Sequence, residues 1–445
     1  MGRKMRVELM LMTLSIGTFV PFVSAHDEKR SSAASDSSSS VASVWFDKLY
    51  DVIKSESTAP PPASRTYGVT AIALYEAVAP GSLENRSLVG QLNGLISVPQ
   101  PKKNDKKYHW PTVANAALAR TIRGLFPALK PQNLDAVASL EADFAAQFRA
   151  EAKKKDFDRS VEQGRAVADA ILAWAADDGF AKFSDCAYVP PSMAGAWEPT
   201  PPAFSPKPVQ PCWGNIRPMA LASGAECAPP GPPSFSMESG SDFFRAALEV
   251  YDTSLGLSEE QKTIANFWVD NAGATGTPPG HWIAIVGQIA RNDGLSLVQA
   301  AEAYARVGIA VTDAFIECWN VKYAYDLQRP VTYIRHNIDP AWSPYLVTPA
   351  FPTYTSGHST QSGAAATVLT DMFGTKAFTD TIRTDHNLIP SLEPRSFGSF
   401  EAAAAEAAVS RLYAGIHFTF DNEDGLASGQ CIGRAIVQEI RFKAD

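Results

Sequence analysis

Apolar residues recur at three- and four-position spacing over most of the chain, the repeat expected of helices that bury one face. From Trp45 to residue 178 the segments TYGVTAIALYEAVAP and PTVANAALARTIRGLF and a charged amphipathic stretch over 134–174 carry this pattern, without strand-like alternation. Prolines then cluster as VPPS, EPTPPAF, PKPVQP and APPGPP. They exclude regular helix and predict a long ordered excursion over about 179–235, with Trp197, Phe204 and Trp213 as apolar anchors. Helical spacing resumes in DFFRAALEVYDTS and EEQKTIANFWVDNAG. The segment AEAYARVGIAVTDAFIECWNVKYAYD is apolar nearly all round, as in a helix at the centre of a bundle. Further helices are predicted over 359–373, 402–413 and 422–441. The expected fold class is therefore all-α: one helical domain over 45–445, with a proline-rich ordered excursion and no internal repeat.

The N-terminus departs from this pattern. Arg3, Lys4 and Arg6 precede a mostly apolar run ending at Val23-Ser24-Ala25, the form of a cleaved export signal over 1–25. The run is short for a membrane span, so the protein is expected to be secreted or periplasmic, with no membrane span. The stretch RSSAASDSSSSVAS has little to bury and predicts a flexible linker over 26–44. A net charge of -8 argues against a nucleic-acid partner. The five cysteines show no zinc-ligand spacing. Cys186, Cys212 and Cys227 share the proline-rich stretch, and in an exported protein two of them could be bridged, the pair being left open.

Cations, histidines and small residues concentrate in three C-terminal segments. In KYAYDLQRP, Lys322 and Arg329 are two helical turns apart, which places both on one face of a helix that Pro330 ends. FPTYTSGHSTQSGAA offers the Ser356 hydroxyl, the bare Gly357 backbone and the His358 imidazole where a helix begins, and free amides at such a start favour an oxyanion. In SRLYAGIHFTFD, Arg411 closes one helix, His417 falls in the break after Gly415, and Asp421 is expected at the N-cap of the last helix. Each residue alone has a structural explanation as solvated face, core histidine, dipole partner or cap. Together, three cations and two imidazoles in an acidic chain point to an anion.

The order Lys, six residues, Arg-Pro; then Ser-Gly-His; then Ser-Arg, five residues, His, three residues, Asp resembles the signature of a known superfamily. That superfamily comprises vanadium haloperoxidases, bacterial nonspecific acid phosphatases and lipid phosphatases. The resemblance covers 322–421, with Thr355 standing where proline is usual. It implies the superfamily's helical-bundle fold, with Lys322, Arg329 and Arg411 holding the equatorial oxygens of vanadate or phosphate. Ser356 and the Gly357 amide would add hydrogen bonds. His417 would be the apical ligand of vanadium or the nucleophile toward phosphorus, His358 the acid–base group, and Asp421 the residue that orients His417.

Trp319 and Phe351 match positions that shape the halide side of the pocket in chloroperoxidase-type members, and the chain length resembles the bacterial haloperoxidase-like group. The resemblance thus implies a vanadium-dependent haloperoxidase. Its cofactor would be vanadate, its partners hydrogen peroxide, halide and a small organic acceptor, and no haem would be required. Phosphate fits the same cage, so an exported acid phosphatase is the alternative. A non-enzymatic phosphate or vanadate binder would not need His358 and Asp421. Asp270 and His281, in FWVDNAGATGTPPGHW, are candidates for residues that pair with the pocket cations or with His417. His109, His336 and His386 belong to no constellation and are read as surface or loop residues.

Overall fold

A computed structural model of the protein describes residues 33–102 and 107–444. The export signal predicted over 1–25 lies outside the described residues. In chain order the helices are α1 (Ser40–Glu56), α2 (Pro60–Val78), α3 (Trp110–Leu125), α4 (Pro131–Glu151) and α5 (Lys154–Ala176). After a four-residue turn, α6 (Phe180–Phe183), come α7 (Asp242–Leu255), α8 (Glu259–Phe267), α9 (Thr277–Asn292) and α10 (Leu297–Tyr325). The rest are α11 (Pro330–Asn337), α12 (Gly357–Phe373), the short α13 (Ile382–Asp385), α14 (Phe400–Tyr413) and α15 (Thr419–Glu439). The fold is all-α apart from one antiparallel pair, β1 (Phe378–Asp380) with β2 (Arg395–Phe397), in which Asp380 faces Arg395.

The segment that is apolar all round becomes α10, the hub of the bundle, packed against α2, α9, α12 and α15. Its start is set by a capping box: the Ser296 side chain accepts from Gln299 N–H and the Gln299 side chain accepts from Ser296 N–H. Helices α12 and α15 approach so closely that a Cβ added at Gly429 would lie 2.0 Å from the Thr360 carbonyl oxygen. Glycine is therefore required at this crossing, and it sets the N-terminal ends of α12 and α15 side by side.

The charged stretch over 134–174 is not one helix but two, because the chain leaves helical geometry at Ala152 and Lys153. The serine-rich linker is also corrected over its described part. Ala34–Asp36 is a 3-10 turn and α1 already begins at Ser40. Ser39 N–H donates to Leu295 O at 3.3 Å and Leu297 N–H to Ser37 O at 2.7 Å. Serine side chains have little to bury, but the backbone pairs as well as any other, and here it pairs with the start of α10.

The proline-rich excursion is ordered, as expected. Asp313 on α10 accepts the N–H groups of Met219, Ala220 and Leu221 at 2.6, 2.8 and 2.9 Å. Trp197 and Trp213 are buried, but Phe204 is 58% exposed and anchors nothing. Cys186 is bridged to Cys212, whereas Cys227 reaches across the fold to Cys431 on α15. Sequence proximity within the excursion left the first pair as one of three open choices and concealed the second.

Candidate active site

The three signature segments converge at the crowded ends of α10, α12 and α15. Lys322 lies in the last turn of α10. Arg329 is not on the same helix: Asp326 ends α10 in left-handed geometry, and Arg329 is the N-cap of α11, with Pro330 starting that helix rather than stopping the previous one. The expected shared face is thus wrong, yet both side chains are buried on the site.

Lys322 Nζ donates to the carbonyl oxygens of Pro352 (2.9 Å), Thr353 (2.8 Å) and Thr355. Arg329 donates from Nε to Phe351 O (2.7 Å) and from Nη1 to Ile416 O (2.9 Å), and Nη1 also lies 3.0 Å from His417 Nε2. Arg411 donates from Nη1 to Trp268 O at 2.8 Å. Arg329 Nη2, Arg411 Nε and His358 Nε2 are buried without a partner. Unpaired buried donors are costly, and the two on Arg329 and Arg411 converging on one site leave a demand for acceptors.

Ser356 is the N-cap of α12, and its hydroxyl oxygen accepts from Ser359 N–H and Ser359 Oγ. Its own hydrogen is left to donate. Asp421 is at the third position of α15 rather than its N-cap, because the helix begins two residues earlier, at Thr419. Its Oδ2 accepts from Phe418 N–H (3.1 Å), from the Thr353 hydroxyl, and from His417 Nδ1 (2.8 Å). The His417 Nδ1 proton is thereby placed toward a carboxylate, and the Nε2 lone pair faces Arg329.

The electrostatics follow from burial. It pushes Lys322 down to about 7, Arg329 to about 9 and Arg411 to about 10, and Arg329 also feels the repulsion of Arg411. Burial, reinforced by neighbouring cations, holds His358 and His417 well below their ordinary value, so both imidazoles are neutral. Burial raises Asp421 to about 6, against the pull of Thr353, Lys322 and Arg329. An anion would relieve this concentration of buried positive charge.

A cavity of about 240 Å³ opens on the site. Gly357, His358, Arg411, His417 and Asp270 form its polar wall, and Phe315, Trp319, Phe351, Val209 and Pro349 its apolar one. Lys322, Arg329 and Ser356 stand behind the polar wall rather than on it. The Trp319 and Phe351 rings are 5.0 Å apart, and Arg329 Cζ lies 4.7 Å over the Phe351 ring.

Over 92% of this chain and 98% of the other, the structure superposes on a bacterial vanadium-dependent iodoperoxidase with a TM-score of 0.84 and 35% identity. The chain belongs to the vanadium haloperoxidase family. Residues 302–444 match the family described as the VCPO second helical-bundle domain. Among curated relatives, a vanadium-dependent bromoperoxidase of Ascophyllum nodosum is 29% identical over 173 residues, 37% of this chain and 28% of that protein. A vanadium chloroperoxidase of Curvularia inaequalis is 26% identical over 213 residues, 35% of each. The chain thus matches about a third of the length of those two. A bacterial vanadium-dependent chloroperoxidase structure, in its apo form, aligns over 84% of this chain and 92% of that one, with a TM-score of 0.65 and 17% identity, and shares the fold.

In this haloperoxidase-family chain the signature residues fit an oxyanion: Lys322 and Arg329 behind the wall, Arg411 on it, an unpaired donor on each arginine, and the neutral His417 ring beside them. Asp270 and His281 do not reach His417. They pair with each other at 2.8 Å, and His281 pairs with Asp380 at 2.7 Å. Sequence reasoning missed Thr353, Trp268, Val209 and Asp380. Thr353 and Asp380 are isolated polar residues without a pattern, and the other two act through backbone carbonyls, Trp268 O accepting from Arg411 and Val209 O from the Trp319 indole N–H and the Tyr323 hydroxyl, which no side-chain motif records.

Proposed function

We propose that the protein is a vanadium-dependent haloperoxidase that uses hydrogen peroxide to oxidise halide to a hypohalous-acid-type halogenating species. One observation carries this reading: a neutral His417, its Nδ1 proton bound by buried Asp421, presents Nε2 beside unpaired donors at the foot of an aromatic-walled cavity. A phosphate ester would use the same cations, but it has no use for the apolar wall of Trp319, Phe351 and Phe315.

Vanadate would be held by His417 through Nε2, with Lys322, Arg329 and Arg411 balancing its charge and Ser356 and the Gly357 amide donating to it. When bound, vanadate supplies a Lewis-acidic centre that makes peroxide electrophilic toward halide. Arg329 Nη1 would leave His417 Nε2 and turn to the anion. Neutral His358, with Nε2 free, would accept a proton from hydrogen peroxide and return it to the product. Asp421 keeps His417 in the tautomer whose lone pair is at Nε2. Trp319 and Phe351 exclude water on the halide side.

Iodide is the first halide to test, since the relative superposed over almost its whole length is an iodoperoxidase. Export is proposed as well, supported by the basic-then-apolar N-terminus and by two disulfides, which persist in oxidising compartments. Among the described residues no helix is long and apolar enough to cross a membrane. The test is peroxide-dependent halogenation of a phenol-type dye by orthovanadate-loaded protein with iodide, bromide and chloride in turn. Inactivity with all three, together with turnover of a chromogenic phosphate ester, would replace this reading with the acid phosphatase.

A further inference from the structure

His281 lies on α9, fully buried, outside the signature. Its Nδ1 is 2.8 Å from Asp270 Oδ2 and its Nε2 is 2.7 Å from Asp380 Oδ2. Ionised carboxylates only accept hydrogen bonds, so between two of them both ring nitrogens carry hydrogen and the ring is an imidazolium. Burial works against that charge, but Asp270 and Asp380 outweigh it and push His281 up to about 10. The charged or titratable groups around this cluster are Asp270, Asp380 on β1, Arg383 on α13, Tyr50 on α1, Tyr67 on α2, Arg411 on α14 and His358 on α12.

Asp380 is itself anchored. Its Oδ1 accepts from Ile382 N–H at 2.9 Å and from the Gln288 amide at 3.2 Å. Asp270 is not: its Oδ1 has no partner, and its φ of 38° is left-handed geometry, uncommon for a residue with a side chain. His281 also stacks on the Trp268 ring, centroids 4.2 Å apart. It therefore grips the 268–270 segment twice, by ring and by carboxylate. The same two residues act on Arg411: the Trp268 carbonyl accepts its Nη1, and Asp270, on the same cavity wall, is its counter-charge.

We propose that His281, clamped between Asp270 and Asp380, is a positioning residue that fixes Arg411 at the cavity through the Trp268–Asp270 segment. The inference rests on reading the cavity as an oxyanion site, not on the halide reaction. It places β1, which lies between signature segments and belongs to none of them, in the support of the anion cage.

Two measurements test it. In apo protein labelled with ring-15N histidine, one of the seven histidines should show two protonated nitrogens, unchanged from pH 6.5 to 8.5 and absent from His281→Gln. A neutral ring at His281 overturns the proposal, whatever the variants do. Orthovanadate binding to the apo protein is then measured for Asp380→Asn, His281→Gln and the double variant, with thermal unfolding as the check on folding. Each single change should weaken binding about tenfold, the usual effect of removing an outer support. The double variant should be no weaker than His281→Gln, because Asp380 acts through the ring. Losses that multiply, an Asp380→Asn variant that binds as wild type, or one that binds more tightly because only charge was removed, each reject positioning. If His281→Gln does not fold, the ring-nitrogen measurement and Asp380→Asn decide. Wild-type protein that binds orthovanadate but oxidises no halide would remove the peroxidase reading and leave this one standing.

Discussion

Arg329 Nη1 and His417 Nε2 lie 3.0 Å apart, so the lone pair that would bind vanadium is held by a hydrogen bond from one of the cations that would surround the anion. The guanidinium keeps another nitrogen, Nη2, without a partner. Ligand binding at Nε2 therefore exchanges one hydrogen bond for several, and the site is organised before the anion arrives.

This arrangement separates the two histidines. His417→Ala should abolish measurable orthovanadate binding, since it deletes the nitrogen that would bind vanadium, the Nε2 whose tautomer Asp421 fixes. His358→Ala should leave binding nearly intact and slow turnover by about 10²–10⁴-fold, the range of a lost acid–base group. Equilibrium titration with orthovanadate and steady-state iodide oxidation distinguish them. Equal loss of vanadate in both variants would refute the assignment.

Asp421 serves three donors from inside the protein. Asp421→Ala strands the His417 Nδ1 proton, the Thr353 hydroxyl and the Phe418 amide, and should destabilise the fold by about 3 kcal/mol while weakening vanadate binding about 10–100-fold. Thr353→Val removes one donor and should give a milder form of the same defect. Denaturant unfolding and vanadate titration measure the two effects.

The pH dependence has a sign that can be checked at His358. Burial and Arg411 depress its pKa, so below about 6.5 the unfolded chain takes up a proton that the native state does not, and stability is lost as pH falls. His281 and Asp421, both raised, act in the opposite sense. The comparison is therefore between wild type and His358→Phe. From pH 7 to 5 the variant should gain stability relative to wild type in urea unfolding. A difference independent of pH would mean that His358 takes up its proton equally in the native and unfolded states, and would refute the prediction.

The two disulfides should differ in weight. Cys227 and Cys431 are 204 positions apart in the chain, Cys186 and Cys212 only 26. Chain entropy assigns the longer loop the larger effect, about 5 kcal/mol against somewhat over 3. Cys431→Ser should lower the unfolding midpoint more than Cys186→Ser, as read by thermal unfolding of the oxidised proteins.

Much of this protein was legible before any coordinates. Helical spacing and an all-round apolar segment determined an all-α bundle with α10 at its centre, because burial of side chains at a fixed period is a local property of sequence. The prolines determined an excursion without regular helix. Charge and residue type singled out three cations and two imidazoles that an acidic chain would gather around an anion, and the resemblance to a known superfamily joined Ser356 and Gly357 to them.

The tertiary structure alone decided how those residues are held. Lys322 and Arg329 looked like one helical face, but Asp326 adopts left-handed geometry and splits them between α10 and α11. Local spacing cannot foresee where a chain turns when the turn is stabilised by contacts elsewhere. Partners distant in sequence were hidden for the same reason: Asp380 with His281, Cys431 with Cys227, the Trp268 carbonyl with Arg411. A hydrogen bond, an ion pair or a disulfide depends on distance in space, and only the packing of α9 on β1, α14 on the 268–270 segment and α15 on the proline-rich excursion brings these atoms within 3 Å of one another.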